Sequence, residues 1–106
     1  MNEKTFYVYI LAKGRNSTFY VGVTSDLIKR MWEHKNNINC NFTTQYGVNA
    51  LVYYEIYHDA ESAITREKRL KRYNRPWKMR LIEEINPQWK DLYDDFFIAG
   101  SPPARG

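Results

Sequence analysis

Hydrophobic residues in this chain fall into short clusters whose spacing changes from strand-like to helix-like along its length. Residues 6–12 (Phe-Tyr-Val-Tyr-Ile-Leu-Ala) form an apolar run rich in Tyr, Val and Ile, which predicts a buried strand. Lys13-Gly14-Arg15-Asn16-Ser17 is a polar turn, and residues 18–24 read as a second strand. A connection this short makes an antiparallel hairpin the simplest pairing. Ser25-Asp26 signals a helix start, and the pattern predicts a helix over 27–36. Residues 36–47 hold four Asn and one Gly and have loop character. A third strand is predicted over 50–57. His58-Asp59 then caps a helix over 60–71, and Pro76 opens another running to 85. Asn86-Pro87 stops that helix, and residues 89–97 are expected to add a short final one. The order strand, strand, helix, strand, helix, helix predicts an α/β (α+β) fold, a small sheet covered by helices.

At 106 residues the chain is expected to be one domain, over 1–98, with a small polar tail over 99–106 that is expected to be disordered. Its single cysteine rules out an internal disulfide framework and fits a cytoplasmic location. No apolar run approaches the roughly 20 residues needed to cross a bilayer, so no membrane association is expected.

The net charge of +4 favours a polyanionic partner only mildly, but its distribution says more. From Arg66 to Arg80 there are eight basic residues, and the one acid among them is Glu67. Arg66, Lys68, Arg69, Lys71, Arg72 and Arg75 are therefore candidates for contacts to a phosphate backbone. A solvated helix face is the plainer alternative. On a helix starting at Ala60, the apolar Ala60, Ala63, Ile64 and Leu70 all lie within about 60° of Glu67 at roughly 100° per residue. Glu67 is thus expected at the centre of the inward stripe, with its cationic neighbours pointing away or to the flanks. A carboxylate so placed needs an ion pair or a metal. A lone carboxylate with water and phosphate suits Mg²⁺ or Mn²⁺.

Arg30 and His34 stand four residues apart and share one helix face, which Leu27 and Met31 dock on the sheet. A guanidinium at a core edge can grip a phosphate with two parallel bonds. An ion pair with Asp26 or Glu33 is the alternative for Arg30, and a structural role is the alternative for His34. Tyr7 and Tyr9 share one sheet face, and Tyr20 lies on the neighbouring strand. Gly22 inside a strand marks a bulge or a close approach, with room for a phosphate or for the next helix. Tyr73, Trp77 and Trp89 are either core anchors or a surface for stacking bases, and core anchoring is the commoner case.

The ordered set Tyr7-Val8-Tyr9, Tyr20-Val21-Gly22, Arg30, His34 and Glu67 resembles the GIY-YIG nuclease family, over 6–85. The likeness is to its small single-domain bacterial members, and to the nuclease domains of the excision-repair nuclease and of homing endonucleases. The first motif has Tyr where the family usually has Gly. The candidates for the family's late asparagine are Asn74 and Asn86. The resemblance implies a three-stranded antiparallel sheet flanked by helices. It implies a metal-dependent DNA endonuclease of repair or recombination, with one divalent metal on Glu67. Tyr9 or Tyr20 would take the proton from water, Arg30 would stabilise the transition state, and His34 would support a tyrosine or touch the phosphate. Residues 41–47 resemble the loop that borders the family's site. The expected partner is DNA, branched or single-stranded, with RNA also open, and a protein partner for targeting. Two other readings stand beside the enzyme: a nucleic-acid-binding module without turnover on the same fold, and a protein whose basic helices meet an acidic partner.

Overall fold

A computed structural model describes residues 4–36, 38 and 47–97. Three strands, β1 (Phe6–Ala12), β2 (Phe19–Thr24) and β3 (Ala50–Tyr57), form an antiparallel sheet in the order β2-β1-β3. The helices are α1 (Leu27–Lys35), α2 (Ala60–Arg72) and α3 (Arg75–Ile85), followed by a 3₁₀ helix (Leu92–Phe97). This is the small α+β architecture expected from the pattern. β1 is the central strand, flanked on both edges and covered on both faces. That explains why it reads as a continuous apolar run instead of an alternating one.

The period of two divides the core between two layers. Val8, Ile10 and Ala12 pack with Val21, Val52 and Tyr53, under Ala63 and Leu70 of α2 and Ile82 of α3. Tyr9 and Leu11 point the other way, to Leu27 and Met31 of α1 and to Val48 and Leu51. Leu92, Tyr93 and Phe96 of the 3₁₀ helix complete that second layer. Ile10 pairs with Tyr53 but Leu11 pairs with Leu51, so Val52 is the extra residue of a β-bulge.

Each helix begins at a side chain that satisfies an otherwise orphaned amide. Asp26 accepts from the Lys29 amide, Asp59 from Ser62 and Asn74 from Trp77. Asn86 ends α3. Its buried Nδ2 donates to the carbonyls of Val52 (3.1 Å) and Lys90 (2.9 Å), and its Oδ1 accepts from the Lys90 amide.

Three expectations need correction. The last element is a 3₁₀ turn that begins at Leu92, because Trp89 adopts φ 55, which no right-handed helix contains. Ile64 is 42% exposed, since the inward stripe of α2 narrows to Ala63, Glu67 and Leu70. Arg66 lies on a flank of α2, as expected, but that flank is packed against β3, where Glu55 holds it, and is not a solvated face. The loop expected to border the site, 41–47, lies outside the described residues apart from Gly47.

Candidate active site

The sheet's second layer assembles four of the residues expected from the sequence. Tyr9 sits opposite Gly22 across the β1–β2 ladder. A Cβ at position 22 would stand 2.5 Å from the Tyr9 hydroxyl and 2.6 Å from its Cζ. Gly22 is therefore the space that lets the Tyr9 phenol lie across β2, and the room is taken by this ring and not by a phosphate or a helix. The Tyr9 hydroxyl is 3.3 Å from Nε2 of His34, one turn after Arg30 on α1. The rings of Tyr9 and Tyr20 are 6.3 Å apart, and those of Tyr20 and His34 are 5.6 Å apart. Tyr9 and His34 are both buried, while Tyr20 is partly exposed. Tyr20 is thus the more exposed of the two tyrosines in this cluster.

Electrostatics give each member a distinct state. Burial first, then the positive charge of Arg30, push His34 down to about 4, and Glu33 offsets this only in part. The imidazole is neutral at neutral pH. Partial burial works against the charge on Arg30, but hydrogen bonds to Glu33 and Tyr9 more than reverse it, so its pKa is raised. Arg30 Nη1 donates to Glu33 Oε1 at 2.8 Å, and a quarter of its side chain remains open. A guanidinium only donates, so the Tyr9 oxygen accepts from Arg30 and has its own hydrogen to offer to His34.

Glu67 lies on the other layer. It sits one turn from both Ala63 and Leu70, which face Val8, Ile10, Ala12 and Val21. Its side chain is only 12% exposed and pairs with Lys71, Nζ to Oε2 at 2.6 Å. On one flank of α2, Arg66 reaches β3, where its Nε and Nη2 grip Glu55 at 2.9 Å each. On the other, Ile64 lines a hollow with Val23 and Thr24 of β2. Glu67 lies between these two flanks, beside the buried Ala63 and Leu70. The candidate residues are therefore divided, with Tyr9, Tyr20, Arg30 and His34 in one layer and Glu67 on the helix that packs in the other.

Among the described residues there is no cluster of three or more His, Cys, Asp or Glu able to enclose a metal. Glu67 fits a different kind of site, one carboxylate holding a cation that keeps most of its water. Its Lys71 partner is 54% exposed and free to move aside.

The basic residues are divided too. Lys68, Arg69 and Arg72 are exposed on α2. Lys71 is held by Glu67 and Arg66 by Glu55, with Arg66 Nη1 also reaching the Tyr73 hydroxyl at 3.3 Å. Arg75 lies over the Phe19 ring and donates to the Arg15 carbonyl. Asn74 and Asn86 are both engaged structurally, the first as a helix cap and the second as a buried latch. Of the aromatic trio, Trp89 packs on Phe19 and donates to Glu83, and Tyr73 is half-buried, but Trp77 is exposed. Sequence reasoning missed Glu55. As the one acid in an apolar strand, it carried the same signal as Glu67.

A three-stranded sheet with helices on both faces and a charged and aromatic cluster at one edge defines the class as a small α+β domain with one candidate site. The GIY-YIG catalytic domain model matches residues 5–91, and the chain belongs to the GIY-YIG family, a nuclease superfamily whose substrate class is nucleic acid. The chain is similar to a UPF0213 protein of Clostridium perfringens, 37% identical over 76 residues, covering 72% of this chain and 81% of the relative. A UPF0213 protein of Staphylococcus saprophyticus is 32% identical over 78 residues, covering 74% and 94%. The solution structure of a UPF0213 protein from Bacillus halodurans superposes with a TM-score of 0.52 at 26% identity, covering 82% of this chain and 92% of that one. Among the described residues no helix is long and apolar enough to cross a membrane.

Proposed function

We propose that this protein is a metal-dependent DNA endonuclease that hydrolyses one strand by attack of water on phosphorus, and that it serves DNA repair or recombination in the cytoplasm. The observation that carries this reading is the convergence of a partly exposed tyrosine, Tyr20, with Arg30, Tyr9 and His34 at the edge strand. Tyr20 accepts a proton from the attacking water while passing its own to solvent, as the water oxygen bonds to phosphorus and the leaving oxygen departs. Arg30 stabilises the charge that develops on the pentacoordinate phosphorus, and its permanent charge and partial exposure suit that task. Tyr9 is too buried to meet substrate and instead orients Arg30. Neutral His34 accepts from Tyr9 and fixes that ring. Glu67 would hold Mg²⁺ or Mn²⁺, which supplies charge for the phosphate oxygens and lowers the pKa of water. The exposed cations of α2 hold the backbone, and target choice comes from DNA shape or from a protein partner.

The test is cleavage of supercoiled plasmid and of branched or flapped oligonucleotides with Mg²⁺ or Mn²⁺. Arg30→Ala and Tyr20→Phe should each slow cutting by about 10²-fold or more, and Glu67→Ala should abolish it, all with the fold intact. Near-normal cutting by Arg30→Ala would remove Arg30 from the chemistry. A binding module without turnover is the second reading, favoured by the engagement of Glu67 with Lys71 and of both late asparagines elsewhere. It requires salt-sensitive binding that needs neither metal nor Glu67, and folded wild type that never cuts.

A further inference from the structure

Trp77 has no part in the site above, and its setting is unusual for a tryptophan. It lies in the first turn of α3, where its amide is fixed by Asn74 Oδ1 at 3.1 Å and Pro76 stiffens the backbone. The residue is 52% exposed. Among the described residues its indole N–H has no hydrogen-bond partner, whereas that of Trp89 is bound to Glu83. The Arg80 guanidinium stands 5.4 Å from its ring, and the Tyr73 ring is 6.2 Å away at an angle of 55°. The segment from Lys68 to Arg80 carries seven basic residues and no acid. Burial, and to a lesser degree the charge of Arg75, lowers the pKa of Lys78.

A rigidly seated indole costs little entropy when it stacks, and its large flat surface serves any base. The Arg80 guanidinium beside the ring and the basic segment that carries it favour a polyanion over a basic protein surface. A duplex hides its base faces, so only an unpaired base can use such a platform. We propose that Trp77, flanked by Tyr73 and Arg80, is a stacking site for an unpaired base of DNA, so that substrates with single-stranded segments are held at the α2–α3 corner. This rests on the nuclease reading for the identity of the polymer, but it needs no turnover.

The experiment is fluorescence anisotropy in EDTA, with labelled oligothymidine, oligouridine and a DNA duplex of equal length. Trp77→Ala should weaken oligothymidine binding by about 10-fold and leave the duplex within about twofold. Trp77→Phe keeps an aromatic face and should retain most of the affinity. Thermal melting of both variants should match wild type, as expected for an exposed position. Equal weakening on single strand and duplex, or no weakening at all, overturns the stacking site and leaves the nuclease reading standing. A preference for oligouridine with the same Trp77 dependence overturns the assignment to DNA. Wild type that binds none of the three probes overturns both the platform and the nucleic-acid reading beneath it.

Discussion

At the scale of single residues, the cluster depends on one phenol held in place by an absent side chain. Tyr9 crosses β2 because Gly22 has no Cβ, and its hydroxyl then meets Arg30 and His34 from the centre of the sheet. His34 accepts a buried position by staying neutral, and this links stability to pH. Its pKa is lowered on folding, from 6.5 to about 4. The unfolded chain therefore takes up the proton first as pH falls. The contribution is fully present above the unfolded value and is lost as pH drops toward the folded one. Between about pH 7 and about pH 5 the loss should be near ~2 kcal/mol, which urea unfolding at the two pH values will measure. His34→Gln should flatten the dependence. This window lies above the range where Glu55, itself held below the usual carboxylate value, begins to protonate.

At the scale of elements, α2 is oriented by an ion pair that lies outside the reaction. Glu55 accepts two bonds from Arg66 and one each from the hydroxyls of Tyr53 and Tyr57. Burial opposes the ionisation of Glu55, but Arg66 and the two tyrosines keep it charged, and Tyr53 is pushed above the usual phenol range. This pair fixes one flank of α2 against β3. Glu55→Gln leaves Arg66 partly buried opposite a neutral group. Both side chains keep some exposure, so the cost should lie between the limits for surface and buried pairs, about 2 kcal/mol. A lowered urea midpoint with an unchanged slope will check it. A shift of less than ~0.5 kcal/mol would mean that apolar packing alone holds the helix.

At the scale of the whole molecule, a net charge of +4 understates how strongly one face of the protein attracts phosphate. Lys68, Arg69 and Arg72 are exposed together on α2, next to Arg75 and Arg80 at the corner with α3. Acids elsewhere in the chain balance the total without neutralising that face. Binding to DNA should therefore fall linearly in log K with log salt concentration, and Lys68→Ala and Arg72→Ala should each reduce the slope by about 1. Anisotropy titrations at several salt concentrations will measure it. An unchanged slope in both variants would place the DNA on another face.

The strands over 6–12 and 50–57, the caps at Asp26 and Asp59 and the inward course of Ala63, Glu67 and Leu70 were all legible in the residues. Each is a local matter of torsional preference, amide capping or periodicity. So was the sharing of one helix face by Arg30 and His34. The position of β1 between β2 and β3, the bulge at Val52, and the partners of Glu55 and Asn86 were not. These join segments far apart in the chain, and periodicity carries no information about which distant segment is met. Gly22 shows the boundary between the two. Its lack of a side chain is written in the sequence, but only the tertiary structure, by bringing β1 against β2, decided that the Tyr9 ring fills the space.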